Sequence, residues 1–181
     1  MAERTPEATG ATSCWPLPEP AAAGLPMARE VVEAAVGRSV TVATAESLTA
    51  GLVSAALADI AGSSAVLRGG VVAYHNDVKS GLLGVDPDLL ERVGSVDGEV
   101  AARMAVGARS ACGADIAVST TGVAGPAAHD GKDVGTVFIG YAGPDGTGFE
   151  AFRFEGDRQR IRVQSRDAAL RKLRELAFGK D

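Results

Sequence analysis

Short β-branched runs alternate with Ala- and Leu-rich segments of helical period along most of this chain, and that alternation constrains the fold more than any other feature. Residues 39–44 (SVTVAT), 66–74 (VLRGGVVAY) and 116–120 read as strands, because β-branched side chains suit a pleated, half-buried surface. Between them, residues 49–58, 77–83, 87–93 and 98–112 read as helices, the last capped by Ser95 or Asp97. Residues 27–37 form a further helix, with Gly37 as its stop, and residues 158–176 form a last one, with Asp157 as its cap. Two more strands, 134–142 and 149–154, are joined by Gly143-Pro144-Asp145-Gly146, whose turn chemistry predicts an antiparallel hairpin. Helices between strands, plus one hairpin, predict an α/β fold: a three-layer α/β/α sandwich with a mixed sheet. The glycine pair Gly69-Gly70 inside the second strand predicts a bulge or the close approach of another group.

Residues 1–26 stand apart. They hold five of the eight prolines, Pro6, Pro16, Pro18, Pro20 and Pro26, so they read as a flexible tail that buries little surface. Trp15 is the one residue there suited to docking on a surface. Residues 27–181 are then expected to form one domain, since 181 residues supply one good core. Cys14 and Cys112 lie far apart in unlike contexts, so no disulfide is expected, and two cysteines with two histidines leave little for a structural zinc site. A net charge of −5 argues against binding nucleic acid by neutralising phosphates. The N-terminus lacks the apolar core of a secretory signal, and no apolar run approaches the ~20 residues of a membrane span. A soluble, cytoplasmic protein is the expectation.

Four stretches can carry chemistry. In the first, residues 44–51 (TAESLTAG), a strand gives way to a helix, and Glu46, Ser47 and Thr49 become candidates for touching a substrate. Ser47 there is either a helix cap or a nucleophile, with the N–H groups at the start of the helix available to an oxyanion or a phosphate. In the second, residues 74–79 (YHNDVK), a base can be supplied by Lys79, if burial lowers its pKa, or by His75. Tyr74 closes the strand beside them. The third, residues 120–126 (TTGVAGP), follows an apolar strand. There Thr121, Gly122 and Gly125 suit the polar edge of a ligand, and residues 127–133 read as a mobile polar loop at the mouth of the site. In the fourth, residues 156–162 (GDRQRIR), one or two arginines can hold a phosphate or carboxylate.

Taken together, the segments AESLTAGL (45–52), GSSAVLRGGVVAYHNDVKSGLLGV (62–85), GEVAARMAVGAR (98–109), TTGVAGP (120–126), VGTVFIGYA (134–142) and FEGDRQRIR (154–162) resemble the C-terminal domain of the CinA competence/damage-inducible proteins. Stand-alone members of that family include the PncC nicotinamide-nucleotide amidases. The resemblance implies hydrolysis of the carboxamide of nicotinamide mononucleotide to nicotinate mononucleotide and ammonia, with no metal or organic cofactor. It implies Ser47 as nucleophile, Lys79 as its base and Tyr74 as support, with Thr121 and an arginine, Arg158 first and Arg162 in reserve, completing the site. It also implies a homodimer or larger homo-oligomer. The larger family proteins carry an additional N-terminal, cofactor-binding-like domain, which this sequence is expected to lack.

Two residues depart from the family's usual AES-Cys-Thr-Gly-Gly. Leu48 is bulkier than Cys, and Ala50 adopts positive φ less cheaply than Gly. They support an alternative reading, a non-catalytic pyridine-nucleotide-binding protein or a partner in competence or damage physiology.

Overall fold

A computed structural model describes residues 25–179. The 1–26 tail therefore lies outside the described residues except at its end, where the first helix, α1 (Leu25–Arg38), starts two residues earlier than expected. Pro26 falls in that helix's first turn, where a missing N–H costs nothing. The chain continues as β1 (Val42–Glu46), α2 (Leu52–Ala58), a single 3-10 turn at Ser63–Ala65, β2 (Leu67–Val72), α3 (Asn76–Leu83), α4 (Pro87–Val93), α5 (Gly98–Cys112), β3 (Ile116–Gly122), β4 (Thr136–Gly143), β5 (Gly146–Arg153) and α6 (Arg158–Phe178). Asp97 and Asp157 cap α5 and α6 through their carboxylates, onto the N–H groups of Glu99 and Arg160.

The five strands lie in the order β2-β1-β3-β4-β5. β1 runs parallel to both β2 and β3, while β4 is antiparallel to β3 and β5, so the sheet is mixed. Gly143 pairs with Gly146 across the expected hairpin. One core, built from α1, α2 and α6, covers one face of the sheet, with Leu57, Ile116, Ile139, Ile161, Leu170 and Leu173 fully buried. Each such side chain contributes about 1.5–3 kcal/mol by leaving water. A second core, under α3, α4 and α5, covers the other face through Ala43, Ala45, Ala117, Met104 and Ala108. The result is the three-layer α/β/α sandwich that the alternation predicts.

The interior strand β1, between β2 and β3, is buried throughout, with Ala43 and Ala45 facing one core and Val42, Thr44 and Glu46 facing α2 and the other. Both of the expected consequences of Gly69-Gly70 are present. Pairing shifts register between Val42 and Ala43, which skips Arg68. A Cβ on Gly70 would come within 2.3 Å of Ser54 Oγ and 2.7 Å of Thr44 Oγ1. From β1 the chain crosses to β2 over one face of the sheet and returns to β3 over the other. The C-terminal ends of β1 and β3 therefore flank a topological switch point, where open α/β sheets leave a crevice.

Candidate active site

A cavity of about 350 Å³ opens at that switch point. Ser47 and Leu48, just past β1, line one side, and Thr121, Gly122 and Gly125, at the end of β3 and beyond, line another. Tyr74 and Arg158 also line it.

The turn that carries Ser47 is shaped by left-handed backbone. Ser47 N–H stays in the sheet, donating to Thr120 O at 2.9 Å. The chain then folds back, with Ala50 N–H on Ser47 O at 3.1 Å, and Ala50 (φ 50°) and Gly51 (φ 98°) both lie in the left-handed region. Two such residues cannot continue an α-helix, so α2 starts at Leu52 rather than at Thr49. Neither Ser47 nor Thr49 caps it. The capping group is Glu46, whose buried carboxylate accepts from the N–H groups of Gly51, Val53 and Ser54 at 2.8–3.0 Å and from Ser54 Oγ at 2.8 Å. This negative charge satisfies the positive end of the helix, and it leaves Ser47 Oγ without a hydrogen bond among the described residues.

Several sequence-predicted contacts therefore fall elsewhere. Glu46 faces the start of α2 rather than the cavity, because the donors of α2 claim its carboxylate. Thr49 is buried, its hydroxyl bonded to Thr120 Oγ1 at 2.8 Å. The N–H groups at the helix start are taken by Glu46, so they are not available to an oxyanion. The N–H groups of Leu48 and Thr49, ahead of the helix, have no partner among the described residues.

Arg158 and Arg162 lie one turn apart on α6 but serve different places. Arg158 Nη2 donates to Tyr74 Oη at 2.9 Å and Nη1 to Gly125 O at 2.8 Å, on the cavity wall. Arg162 reaches back to the serine turn instead, donating from Nε to Leu48 O at 2.9 Å and from Nη2 to Thr49 O at 2.8 Å. Arg158 thus lines the cavity, whereas Arg162 is committed to the backbone.

Lys79 is the largest fully buried side chain, only 1% exposed, in the middle of α3. Burial pushes its pKa below the ordinary lysine value, and the negative charges of Asp130 and Asp77 offset part of that fall. Its Nζ donates to Tyr74 O at 3.3 Å, and among the described residues it makes no hydrogen bond to Ser47 Oγ. The rival base, His75, sits exposed at the N-cap of α3, and neither it nor Lys79 lines the cavity.

Sequence reasoning placed residues 127–133 at the mouth of the site without singling out His129 or Asp130, and it offered Ser95 only as a helix cap. Ser95 and His129 line the cavity, and Thr121 Oγ1 donates to Ser95 O at 2.6 Å. Asp130 accepts from both the N–H and the hydroxyl of Ser95, at 2.6 and 2.8 Å. Burial pushes the Asp130 pKa up, but the Ser95 bonds, with help from His129, overcome this and hold it below the usual carboxylate range. Asp130 and Gly131, at φ 50° and 68°, form a tight turn closed by reciprocal bonds between His129 and Lys132. Within the segment expected to be a mobile loop, residues 129–132 thus form a tight turn that Asp130 fastens to Ser95. The Asp130-Gly131 pair was the available signal, since Asp-Gly favours two-residue turns with positive φ. Among the described residues, no group of three or more His, Cys, Asp or Glu could hold a metal, and no helix is long and apolar enough to cross a membrane.

Residues 25–177 match the family model described as the CinA C-terminal domain. A CinA-like protein of Frankia casuarinae is 49% identical over 144 residues, which are 80% of this chain and 33% of that protein. A CinA-like protein of Mycolicibacterium gilvum is 48% identical over 141 residues, 77% of this chain and 33% of its own length. This chain spans about a third of the length of these curated relatives. Among solved structures, the competence/damage-inducible protein CihA of Agrobacterium tumefaciens superposes with a TM-score of 0.80 at 37% identity, covering 83% of this chain and 93% of that one. The competence damage-inducible protein A of Klebsiella pneumoniae superposes with a TM-score of 0.81 at 30% identity, covering 83% and 94%.

Proposed function

The chain belongs to the CinA C-terminal domain family, and on that premise we propose that it is a serine amidohydrolase that converts nicotinamide mononucleotide to nicotinate mononucleotide and ammonia. Two observations support this reading: Ser47 is an uncapped serine on a cavity wall, and Lys79, on α3, is a lysine whose burial favours the neutral amine. A neutral lysine can take a proton from a serine hydroxyl.

In the proposed reaction, Ser47 Oγ attacks the carboxamide carbon and its proton passes to Lys79. The carbonyl oxygen becomes an oxyanion held by N–H groups of the serine turn, Leu48 foremost because it lines the cavity. Lys79 returns the proton to the amide nitrogen, the C–N bond breaks and ammonia leaves. Water then attacks the ester on Ser47, gives a proton back through Lys79 to Oγ, and releases the acid. Lys79 must turn from Tyr74 O towards Ser47 as substrate enters; catalytic hydrogen bonds often tighten only in the complex. Arg158, beside the backbone of Gly125, is the group proposed to receive the substrate phosphate.

A non-catalytic nucleotide-binding role is favoured by one observation, that Lys79 Nζ is bonded to Tyr74 O rather than to Ser47. Ammonia release from nicotinamide mononucleotide by the wild type, Ser47→Ala and Lys79→Ala decides between the two. The amidase reading expects turnover in the wild type and almost none in either variant. A ligand-induced thermal shift without ammonia release would favour binding alone.

A further inference from the structure

Arg162 spends its guanidinium on two backbone carbonyls of the serine turn, and the order of bonds beyond it runs towards the cavity. Its Nη2 donates to Thr49 O at 2.8 Å. The same peptide group carries the Ala50 N–H, which points the opposite way because peptides are planar and trans, and which donates to Ser47 O at 3.1 Å. That second carbonyl in turn shares a peptide plane with the Leu48 N–H. Leu48 lines the cavity beside Ser47, and its N–H has no partner among the described residues. The intervening peptide is held as well, by Arg162 Nε on Leu48 O at 2.9 Å.

Resting on the reading of Ser47 as a nucleophile, we propose that Arg162 is a positioning residue for the oxyanion donor, holding and polarising the Leu48 N–H through a relay of two peptide groups. A cation at the carbonyl end of a hydrogen-bonded chain draws electron density along it and strengthens the donor at the far end. It also removes the freedom of the turn to rotate its N–H away from the developing charge, so the donor is in place before reaction. The relay passes through Ala50, whose N–H closes the turn onto Ser47 O and whose own backbone is left-handed. Lysine cannot reproduce the arrangement, since it offers a point charge where Arg162 offers a planar fork to two carbonyls.

The test compares wild type, Arg162→Lys and Arg162→Met by two readouts, with thermal midpoints confirming that each variant is folded. The first is the rate at which an alkyl fluorophosphonate labels Ser47. The Oγ–P bond forms, fluoride leaves with the P–F bond, the serine proton passes to Lys79, and the phosphoryl oxygen takes the oxyanion position. The second is kcat and KM for ammonia release. Arg162→Met should slow labelling and lower kcat by about 10–100-fold, the worth of one charged hydrogen bond, with KM changed less than about threefold. Arg162→Lys should recover only part of the loss. If Arg162 merely held the strained Ala50, adding Ala50→Gly would restore Arg162→Met to the rates of Ala50→Gly alone, and that result overturns the proposal. Labelling within threefold of wild type in both variants overturns it too, as does a wild type whose Ser47 is not labelled at all. Labelling that depends on Arg162 in a wild type that releases no ammonia sustains the proposal and refutes the substrate assignment instead.

Discussion

Lys79 Nζ donates to the carbonyl oxygen of Tyr74 at 3.3 Å, five residues earlier, and so the proposed base is tied to the residue whose hydroxyl Arg158 holds on the cavity wall. Burial favours the neutral amine, and the charges of Asp130 and Asp77 oppose it. Turnover should therefore rise with pH as Lys79 loses its proton. Removing either negative charge lowers the Lys79 pKa further, so Asp130→Asn and Asp77→Asn should move the acidic limb of the kcat/KM profile to lower pH. A limb that stays in place in both variants argues that another group titrates there.

The same burial has a cost in stability. The folded-state pKa of Lys79 lies below the ordinary 10.5 of the unfolded chain, so between the two values the unfolded chain binds the extra proton. Stability contributed by this group therefore rises with pH across that window and is smallest below it. Lys79→Met should remove turnover while raising the thermal midpoint at pH 7 by at least about 2 °C. A lowered midpoint would count against a desolvated amine at this position.

Glu46 should prove structural. Its carboxylate takes three N–H groups and a hydroxyl at the start of α2, and the amide of Glu46→Gln would turn a donor towards donors. Denaturant unfolding should show a loss of about 2–4 kcal/mol. Gly70→Ala should act in the same direction by crowding Ser54 and Thr44 beside that carboxylate. Unchanged unfolding of Glu46→Gln, with a raised KM, would instead restore a substrate contact.

Ala50 carries backbone strain at φ 50°. Left-handed backbone costs a non-glycine residue about 1–2 kcal/mol, and the extra entropy of glycine in the unfolded chain returns part of the gain. Ala50→Gly should stabilise by about 0.5–1 kcal/mol, which calorimetry would read as an increase of about 1–4 °C. A decrease would mean that the methyl group makes a contact worth more than the strain.

Arg158→Ala removes the donor to Tyr74 Oη and Gly125 O together with the proposed phosphate contact. KM for nicotinamide mononucleotide should rise about tenfold or more, with a smaller change in kcat. Steady-state kinetics showing the reverse split would move Arg158 from binding to the reacting centre.

The places where expectation and structure part are instructive. α4 and α5 begin and end where periodicity and capping put them. α2 does not, because the start of that helix is set by two left-handed residues and by a carboxylate from the preceding strand. Ser47 at a strand-to-helix turn has the composition of a cap, and only the competing Glu46 shows that the capping position is already served. The 127–133 segment has a loop's composition, yet Asp130 is fastened to Ser95, 35 residues away.

From the sequence alone came the order of strands and helices, the hairpin at 143–146, the cap Asp157, a choice of Ser95 or Asp97 as the cap of α5, and Ser47 at the end of a strand. Each of these rests on periodicity, turn or capping chemistry acting within a few residues. Only the tertiary structure decided that Lys79 loses its water, that Glu46 faces a helix, and that Arg158 and Arg162 divide between the cavity wall and the serine turn. Those outcomes depend on which side chains compete for the same donors across separations as long as 114 residues, as between Arg162 and Leu48, and no local pattern encodes that competition.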